Sequence, residues 1–309
     1  MSEVVILGVF VADTTFRAPR QPEMGETLLG TGFALGPGGK GSNQAVAAGR
    51  AGANVSMLTK LGDDTFGAMA ADIWGEAGVS DAHVERGETP TGAAYIFVDD
   101  GTGDNAIIIY PGAAGEIDAA FIDARANVIA KAKVFVAQNE QPLEAAHRAM
   151  RIASEGGAIT IHNPAPAAEL PEGMLGLCDY VTPNETEAEA LTGVPVASED
   201  EARAAADALL HLGVRKAAIL TLGSRGALYH SRDTSTLVPA FDAGPLVETT
   251  GAGDAFNGGF AAALAEGMEP VAAVRFGCAC AGISVTRAGT APSMPSRGEI
   301  DALLARMEG

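Results

Sequence analysis

The sequence is poor in cysteine. Cys178, Cys278 and Cys280 are the only three in 309 residues, an odd and sparse set that does not suit a disulfide framework. Cys278-x-Cys280 has neither a second pair nor a nearby histidine, so we interpret both residues as small and buried rather than as metal ligands. We therefore expect the protein to work in a reducing compartment, the cytoplasm.

Basic residues and long apolar runs are also scarce. The chain has 20 Lys and Arg against 39 Asp and Glu, a formal net charge of −19. Because no basic block offsets this charge, we expect neither nucleic acid nor an anionic membrane as a partner. The apolar run Val4–Ala12 lacks a basic leader and is too short to span a membrane, so it reads as a buried strand. An acidic protein that handles phosphates must rely on backbone N–H groups, a few cations and metal ions.

Standard nucleotide and hydrolase motifs are missing too. The loop 36–41 matches G-x-G-x-x-G, but it does not follow the first buried strand and lacks the acidic residue expected about 20 positions later. The P-loop template fails because Ala34 stands at its first glycine and Gly41 follows Lys40, where Ser or Thr is required. Nothing resembles Gly-x-Ser-x-Gly, and the five histidines lack metal-ligand spacing. A dinucleotide oxidoreductase stays open as an alternative on this loop alone.

The most informative stretch that is present runs from Glu248 to Phe260. It passes through the turn Gly251-Ala252-Gly253 and then opens a helix-compatible run from Asp254 to about Glu266. N–H groups at the start of a helix form an anion site, and a carboxylate beside it can orient a hydroxyl and accept its proton during phosphoryl transfer. The alternative is a helix whose first turn is capped by an aspartate.

A second glycine-rich stretch, residues 36–44, precedes an alanine-rich helix at Ala45–Ala51. It places a flexible backbone close to the cation of Lys40 and the amide of Asn43. Such a loop can donate hydrogen bonds to a polyhydroxylated ligand. The alternative is a turn that carries a surface lysine.

Strands and helices alternate after residue 130, which is typical of a parallel sheet with crossover helices. Two segments differ. Thr14–Ala18 with Leu28–Ala34, and Gly92–Asp99 with Ala106–Tyr110, predict two antiparallel hairpins that could form one small sheet. We predict a single α/β domain over residues 1–309, with a lid built from about 12–36 and 91–111.

Polar residues follow several of the predicted parallel strands, where α/β proteins place their ligand contacts. Asp13 follows the first strand and Glu140 a strand at Val134–Ala137, while residues 184–187 and 221–226 follow two later strands. Each alone could be an ordinary loop residue or helix cap. Together they predict a site along one edge of the sheet.

The two glycine-rich stretches, Gly38-Gly-Lys-Gly-Ser-Asn-Gln-Ala and Thr249-Thr-Gly-Ala-Gly-Asp-Ala-Phe-Asn-Gly, together resemble the two signatures of the ribokinase (PfkB) family of sugar kinases. Asn163-Pro-Ala-Pro-Ala, the segment 182–189 and Thr221-Leu-Gly-Ser-Arg-Gly resemble its ribokinase branch. The resemblance covers essentially the whole chain. It implies a Rossmann-like three-layer α/β/α domain with a mostly parallel sheet and a small antiparallel β-lid, which often serves as a dimer clasp.

The resemblance also implies a reaction and its residues. ATP with Mg²⁺ would phosphorylate the primary hydroxyl of a furanose-type sugar, D-ribose to ribose 5-phosphate, and a monovalent cation such as K⁺ would activate. Asp254 would be the base and Gly251, Ala252 and Gly253 the anion hole. The sugar would be held by Asp13, Gly39, Lys40, Asn43 and Glu140. The nucleotide site would include Asn184, Thr221, Gly223, Gly226 and Cys278, with Glu187 organising Mg²⁺ through water. The alkali-cation site would fall at Glu248, Thr250, Ser284, Arg287, Gly289 and Ser293, mostly through backbone carbonyls.

Two positions depart from the family pattern and leave alternatives open. Val11 stands where ribokinases usually have Asn, which leaves the exact sugar open: deoxyribose, a fructose-type or ketodeoxy sugar, or a nucleoside. Glu248 stands where they usually have Asp, which leaves the cation response open. A non-catalytic sugar sensor is a further alternative, although the intact Asp254 and glycine turn argue against it.

Overall fold

The computed structural model describes residues 3–307. Its strands are β1 (Val4–Leu7), β2 (Val11–Ala18), β3 (Gly32–Gly38), β4 (Val55–Leu58), β5 (Lys60–Gly62), β6 (Val79–Ser80), β7 (Glu85–Gly87), β8 (Thr91–Asp99), β9 (Asn105–Gly112), β10 (Val134–Ala137), β11 (Ile159–His162), β12 (Tyr180–Val181), β13 (Ala217–Thr221), β14 (Ala227–Ser231) and β15 (Ser235–Val238). Its α-helices are α1 (Lys40–Arg50), α2 (Thr65–Glu76), α3 (Ala119–Ala124), α4 (Ala126–Ala130), α5 (Leu143–Glu155), α6 (Glu185–Thr192), α7 (Glu199–His211), α8 (Ala252–Ala265), α9 (Pro270–Ser284) and α10 (Arg297–Arg306).

The main sheet has nine strands in the order β15-β14-β13-β12-β11-β10-β1-β4-β6. β6 to β13 along this order run parallel, and β14 and β15 are added antiparallel at one edge. In β1, Val4 and Ile6 pack into one hydrophobic core while Val5 and Leu7 pack into another on the opposite face. Both faces of the strand are therefore covered, which is why its sequence lacks polar alternation. The predicted α/β class with a mostly parallel sheet between helical layers is confirmed.

A separate four-stranded sheet has the order β3-β2-β8-β9. The pairs β2–β3 and β8–β9 are antiparallel hairpins, as predicted, although β3 is Gly32–Gly38 rather than Leu28–Ala34. The two hairpins meet through β2 and β8, which run parallel with Val11 opposite Gly92. The small sheet thus contains one parallel pair that the hairpin pattern did not predict.

The apolar run at the start of the chain serves both sheets. The single strand predicted for Val4–Ala12 is wrong, because β1 ends at Leu7 and β2 of the small sheet begins at Val11. At Gly8 the chain passes close to α1: a Cβ there would lie 2.6 Å from the Cα of Gly41. Residues 8–10 therefore carry the chain from one sheet to the other.

Helices α1 and α8 pack closely, which brings the two glycine-rich segments together. A Cβ at Gly258 would lie 2.4 Å from the Cβ of Ala47 and 2.6 Å from the carbonyl oxygen of Gln44. Only a residue without a side chain allows this approach. The start of α1 is thereby held beside the start of α8.

Several elements differ from the sequence-based expectations. Helices α3 and α4 meet at Arg125, whose guanidinium donates to the carbonyl of Phe121, and this division was not predicted. Strands β14 and β15 and helices α9 and α10 were not predicted, although Ser296 and Glu299 form a capping box at the start of α10. Among residues 3–307, a helix with the length and apolar character needed to cross a membrane is not found.

Candidate active site

The turn before α8 has the conformation that its glycines predict. Gly251 is the N-cap residue with φ +82°, and the helix begins at Ala252, two residues earlier than predicted. The turn is confined, since a Cβ at Gly251 would lie 3.2 Å from the Cα of Thr290. Ala252 donates its N–H to the carbonyl of Thr249 at 3.1 Å. The first turn of α8 opens on a cavity, and its N–H groups with the helix dipole favour an anion there.

Asp254 is buried in this first turn and is held through both carboxylate oxygens. Oδ2 accepts a hydrogen bond from Nδ2 of Asn43, and Oδ1 accepts one from Nε2 of Gln44, each at 3.0 Å. The expected alternative, an aspartate that caps its own helix, is therefore wrong. Burial raises the pKa of Asp254, while the charge of Lys40 and the two amide bonds act in the opposite direction. A buried carboxylate of this kind can orient a hydroxyl and take its proton.

Two further carboxyl groups lie near Asp254. Burial, with the charge of Asp254, raises the pKa of Asp13 to about 6. Burial raises the pKa of Glu140 to about 7, although Lys40 opposes the change and its backbone N–H donates to Oε2 of Glu140 at 2.7 Å. Burial acts to lower the pKa of Lys40, but Asp254, Glu140 and Glu187 together raise it above its ordinary value. One half-buried cation thus stands among four carboxyl groups.

The glycines of the first loop let backbone and carboxylate approach each other. A Cβ at Gly38 would lie 2.2 Å from Oδ2 of Asp13. Gly39 is the N-cap of α1 with φ +88°, and a Cβ there would lie 2.5 Å from the carbonyl oxygen of Val9. The loop therefore passes directly over Asp13, as a ligand-binding loop needs to do.

A cavity of about 700 Å³ extends from Asp254 along the carboxyl edge of the main sheet. It is lined by eleven of the predicted site residues: Lys40, Asn184, Glu187, Thr221, Gly223, Gly226, Gly251, Ala252, Gly253, Asp254 and Cys278. Asp13, Gly39, Asn43 and Glu140 are outside this lining and surround Asp254 and Lys40 instead. The structure thus separates the two predicted groups of contacts, with Asp254 between them.

Asn184 and Glu187 both cap a helix and line the cavity. Asn184 accepts the N–H of Glu187 on its side chain, and Oε2 of Glu187 accepts the N–H of Asn184, at 2.8 and 2.9 Å. This is a capping box at the start of α6. The alternative reading of Asn184 as a helix cap is therefore correct, and it does not exclude a place in the site. Cys278 is free, and burial raises its pKa to about 12.

The residues predicted for a monovalent cation fall on two adjacent segments behind the turn. Oε2 of Glu248 accepts the N–H of Gly289 at 2.8 Å, and the N–H of Glu248 donates to Val285. The guanidinium of Arg287 pairs with Glu299. Ser284 and Ser293 donate their hydroxyls to carbonyls three residues earlier, and Thr250 is exposed at the turn. Any ligands from Arg287 would therefore be backbone carbonyls.

Sequence reasoning left out four polar residues that join this site together. Asn163 and Thr182 directly follow strands β11 and β12 of the main sheet. Asn257 lies one turn after Gly253, and Gln44 follows Asn43 on α1. Asn163, Thr182 and Asn257 line the cavity. All four stand in the quoted motifs, so a signal was available, but the residue type alone does not reveal a buried hydrogen bond.

Comparison with known proteins identifies the family. The model for "pfkB family carbohydrate kinase" matches residues 1–297. The chain belongs to the pfkB family of carbohydrate kinases. The predicted resemblance is thus confirmed, and the dinucleotide oxidoreductase alternative is set aside.

Relatives of this kinase align with it over nearly their full lengths. The ribokinase of Schizosaccharomyces pombe is 39% identical, with 97% of each chain covered. The deoxyribokinase of Salmonella typhimurium is 38% identical over 95% of this chain and 96% of its own. A structure of the Arabidopsis thaliana ribokinase complexed with ribose and ATP aligns with a TM-score of 0.92 at 30% identity, covering 98% of each chain.

The raised pKa of Glu140 predicts a pH dependence of stability. A carboxyl group has a pKa of 4.5 ordinarily, and that of Glu140 is about 7 in the folded protein. Its contribution to the free energy of unfolding is therefore fully present below pH 4.5 and is lost as the pH rises from 4.5 through 7. Glu140→Gln should therefore flatten the fall in the free energy of unfolding between pH 4.5 and pH 7. Denaturant unfolding at pH values across this range, without ligands, measures the slope.

A matched variant separates this effect from net charge. Glu144→Gln, at an exposed position on α5, removes one charge as well. Equal slopes for wild type and Glu140→Gln would show that the burial of Glu140 does not disfavour its charge. Asp13 should account for part of the slope that remains in Glu140→Gln.

Proposed function

We propose that this kinase transfers the γ-phosphate of ATP to the primary hydroxyl of a furanose-type sugar, converting D-ribose to D-ribose 5-phosphate. The observation that supports it most is the place of Asp254. This buried carboxylate lies in the first turn of α8. On one side of it are the polar residues assigned to the sugar, and on the other is the cavity of about 700 Å³. The ribokinases among its relatives support the choice of ribose.

The sugar would bind on the side of Asp254 that faces Asp13, Gly39, Lys40 and Glu140. Carboxylates accept hydrogen bonds from sugar hydroxyls, and Lys40 donates. Asn43 supports this assignment because its Nδ2 is used on Asp254, whereas its Oδ1 is buried without a partner among the described residues. A hydroxyl of the sugar would satisfy this oxygen.

In the reaction, the oxygen of the primary hydroxyl attacks the γ-phosphorus while Asp254 accepts the hydroxyl proton. The bond from the γ-phosphorus to the bridging oxygen breaks, and ADP leaves with that electron pair. The N–H groups around Gly251, Ala252 and Gly253 stabilise the charge on the transferring group, and Lys40 adds a cation.

The nucleotide would occupy the cavity lined by Asn184, Thr221, Gly223, Gly226 and Cys278. Family membership implies Mg²⁺ together with ATP, and a carboxylate oxygen is the ligand type that Mg²⁺ prefers. Glu187 fits this need, because it lines the cavity and its described hydrogen bond uses only Oε2. Mg²⁺ keeps several waters, so we assign Glu187 to hold it through water. When bound, the ion neutralises phosphate charge.

A second substrate, 2-deoxyribose, is favoured by Val11. It lies two residues before Asp13 on β2, so both side chains are on the same face of the strand. Val11 is buried and cannot hydrogen-bond, whereas the asparagine usual in ribokinases can. A relative at 38% identity is a deoxyribokinase. A sugar that lacks the hydroxyl facing this position would lose no hydrogen bond there, because valine offers none.

For activation we propose a monovalent cation, K⁺, held by carbonyls at Glu248, Thr250, Ser284, Arg287, Gly289 and Ser293. The bond between Glu248 and Gly289 supports this, because it joins the two segments that would enclose the ion. The cation would lie directly behind the turn at Gly251, which packs on Thr290.

We further propose a homodimer formed through the lid of a single domain, with the lid at about 12–36 and 91–111. Ile107, Ile108 and Ile109 of β9 are each more than half exposed although their side chains alternate between the two faces. One face would close over the sugar and exclude water, while the other would be covered by a partner lid. The three free cysteines are compatible with the cytoplasm, where we propose that the enzyme acts.

Asp254→Asn should abolish most turnover while the fold is kept. Removal of the proton acceptor is expected to lower kcat by about 10²- to 10⁴-fold, with much of the affinity for ATP retained. A coupled ADP-release assay measures kcat, and calorimetry measures nucleotide binding. Glu266→Gln, at the other end of α8, should keep wild-type turnover. A near wild-type rate for Asp254→Asn would disprove the mechanism.

Val11→Asn should favour ribose over deoxyribose. A satisfied sugar hydroxyl is worth about 1–3 kcal/mol, so the ratio of kcat/KM for ribose to that for deoxyribose should rise by about one to two decades. Val11→Ala removes the same methyl groups without adding an amide and controls for cavity size. If Val11→Asn leaves the ratio unchanged, Val11 does not face the discriminating hydroxyl.

Potassium should raise activity relative to a bulky organic cation such as tetramethylammonium at equal ionic strength. Glu248→Asp, which restores the residue usual in ribokinases, should change the K⁺ concentration needed for half-activation. Rates that do not depend on the cation would remove the proposed site and leave the kinase assignment intact.

The lid should hold two subunits together in solution. Ile108→Lys places a charge on the most exposed isoleucine of β9 and should yield monomers in analytical ultracentrifugation. Leu212→Lys, at an exposed leucine after α7, is the matched control and should leave the mass unchanged. A monomeric wild type would contradict the dimer.

A further inference from the structure

Gln44 is a fully buried side chain on α1 that the proposed mechanism does not use. It does not line the nucleotide cavity. Its Nε2 donates two hydrogen bonds, to Oδ1 of Asp254 and to Oδ1 of Asn163, both at 3.0 Å. Both amide protons of Gln44 are thus used, one of them on the proposed base.

The orientation of this amide is determined by its neighbours. Oε1 of Gln44 accepts a hydrogen bond from Nε2 of Gln138 at 2.8 Å. Nδ2 of Asn163 donates to the backbone carbonyl of Thr182 at 3.1 Å, which turns Oδ1 of Asn163 toward Gln44. A reversed Gln44 amide would place its oxygen against two other oxygens. The carbonyl of Thr182 therefore fixes the Asn163 amide, which in turn orients Gln44 so that its N–H group donates to Asp254.

The same network returns to the turn before Asp254. The hydroxyl of Thr182 donates to Oδ1 of Asn257 at 2.6 Å, and Nδ2 of Asn257 donates to the carbonyl of Gly253 at 2.8 Å. A closed ring of hydrogen bonds thus links the backbone of residue 253 to the carboxylate of the next residue. Gln44 is the member of this ring that comes from another helix.

We infer that Gln44 is a positioning residue that fixes the rotation of the Asp254 carboxylate and favours its ionised form. The inference deepens the proposed function and depends on Asp254 being the base. Because one amide donates to Oδ1 and another donates to Oδ2, the carboxylate is held in a single rotational orientation. A hydrogen bond to the charged form also stabilises that form, so the loss of the Gln44 amide raises the pKa of Asp254.

Other charges near Asp254 must be held constant in a test. Lys40 on α1, Asp13 on β2, Glu140 after β10 and Glu187 on α6 all act on it electrostatically. A substitution of Gln44 by an uncharged residue changes none of these groups. A difference in pH profile between wild type and variant then reports on Asp254.

The test is the pH profile of kcat at saturating sugar and ATP with Mg²⁺ for Gln44→Met, which has similar volume and no amide. A hydrogen bond to a charged group is lost, so kcat should fall by about 10- to 100-fold. The acidic limb of kcat should move to higher pH. The KM for sugar and the affinity for ATP should change by less than about threefold, because Gln44 reaches the site only through Asp254.

Two variants keep the test decisive. Gln141→Met removes an equally buried amide that donates to the carbonyl of Gln138, and it should leave the acidic limb in place. Gln44→Leu also removes the amide without adding a charge, so its acidic limb should move in the same direction as that of Gln44→Met. Gln44→Leu decides the matter if Gln44→Met does not fold.

A lowered melting temperature with an unmoved acidic limb in the folded Gln44 variants would overturn the inference, since that is the result of a merely structural role. A wild type that phosphorylates no sugar would instead overturn the proposed function. In that case, carboxyl ¹³C NMR titration of Asp254 in wild type and Gln44→Met still tests the inference. Equal pKa values for Asp254 in the two proteins would disprove it.

Discussion

The structure of this kinase depends on keeping one charge, the carboxylate of Asp254, buried at the junction of two helices. An isolated buried carboxylate is strongly unfavourable unless it is paired or hydrogen-bonded. Here Lys40, two side-chain amides and the N-terminus of α8 offset that penalty. These groups come from segments about 200 residues apart, so α1 and α8 must pack closely, and Gly258 makes the approach possible. The helix packing that forms the core therefore also positions Asp254, the proposed base.

The acidic composition has a local counterpart in this site. Lys40 faces Asp254, Glu140 and Glu187, while Asp13 is close to Asp254. Burial, with a smaller contribution from the charge of Asp254, raises the pKa of Asp13, Glu140 and Glu187. A carboxyl group whose pKa is raised by folding contributes less to stability at neutral pH than at acidic pH. Sugar hydroxyls and phosphate-bound cations are the ligands that would relieve such crowding. Under the proposed function, ligand binding would therefore stabilise a site whose burial disfavours the charged carboxyl groups of the free enzyme.

Much of the fold and part of the site could be predicted from the sequence. The buried parallel strands, the two hairpins and the turn before Asp254 follow from local patterns, because hydrophobic periodicity and glycine position act over a few residues. The division of the run from Val4 to Val11 could not be predicted, since it is caused by the approach of Gly8 to a helix 33 residues later. Nor could the role of Gln44, because its three hydrogen-bonding partners lie at positions 138, 163 and 254. Such contacts exist only after the chain has folded.

The path of the chain from β1 to β2 separates the proposed sugar contacts from the proposed base. β1 ends inside the rigid main sheet at Leu7, and four residues later β2 begins the small sheet that carries Val11 and Asp13. Asp254 and the nucleotide cavity remain on the edge of the main sheet. If the small sheet opened, the proposed sugar contacts on β2 would move with it, while the proposed base and the turn before α8 would keep their places. The complete proposed site would then exist only with the small sheet closed. ATP bound in the open state would meet water without the closed, dry geometry that phosphoryl transfer requires. Under the proposed function, a movement at residues 8–10 would therefore couple sugar binding to the exclusion of water from the bound ATP.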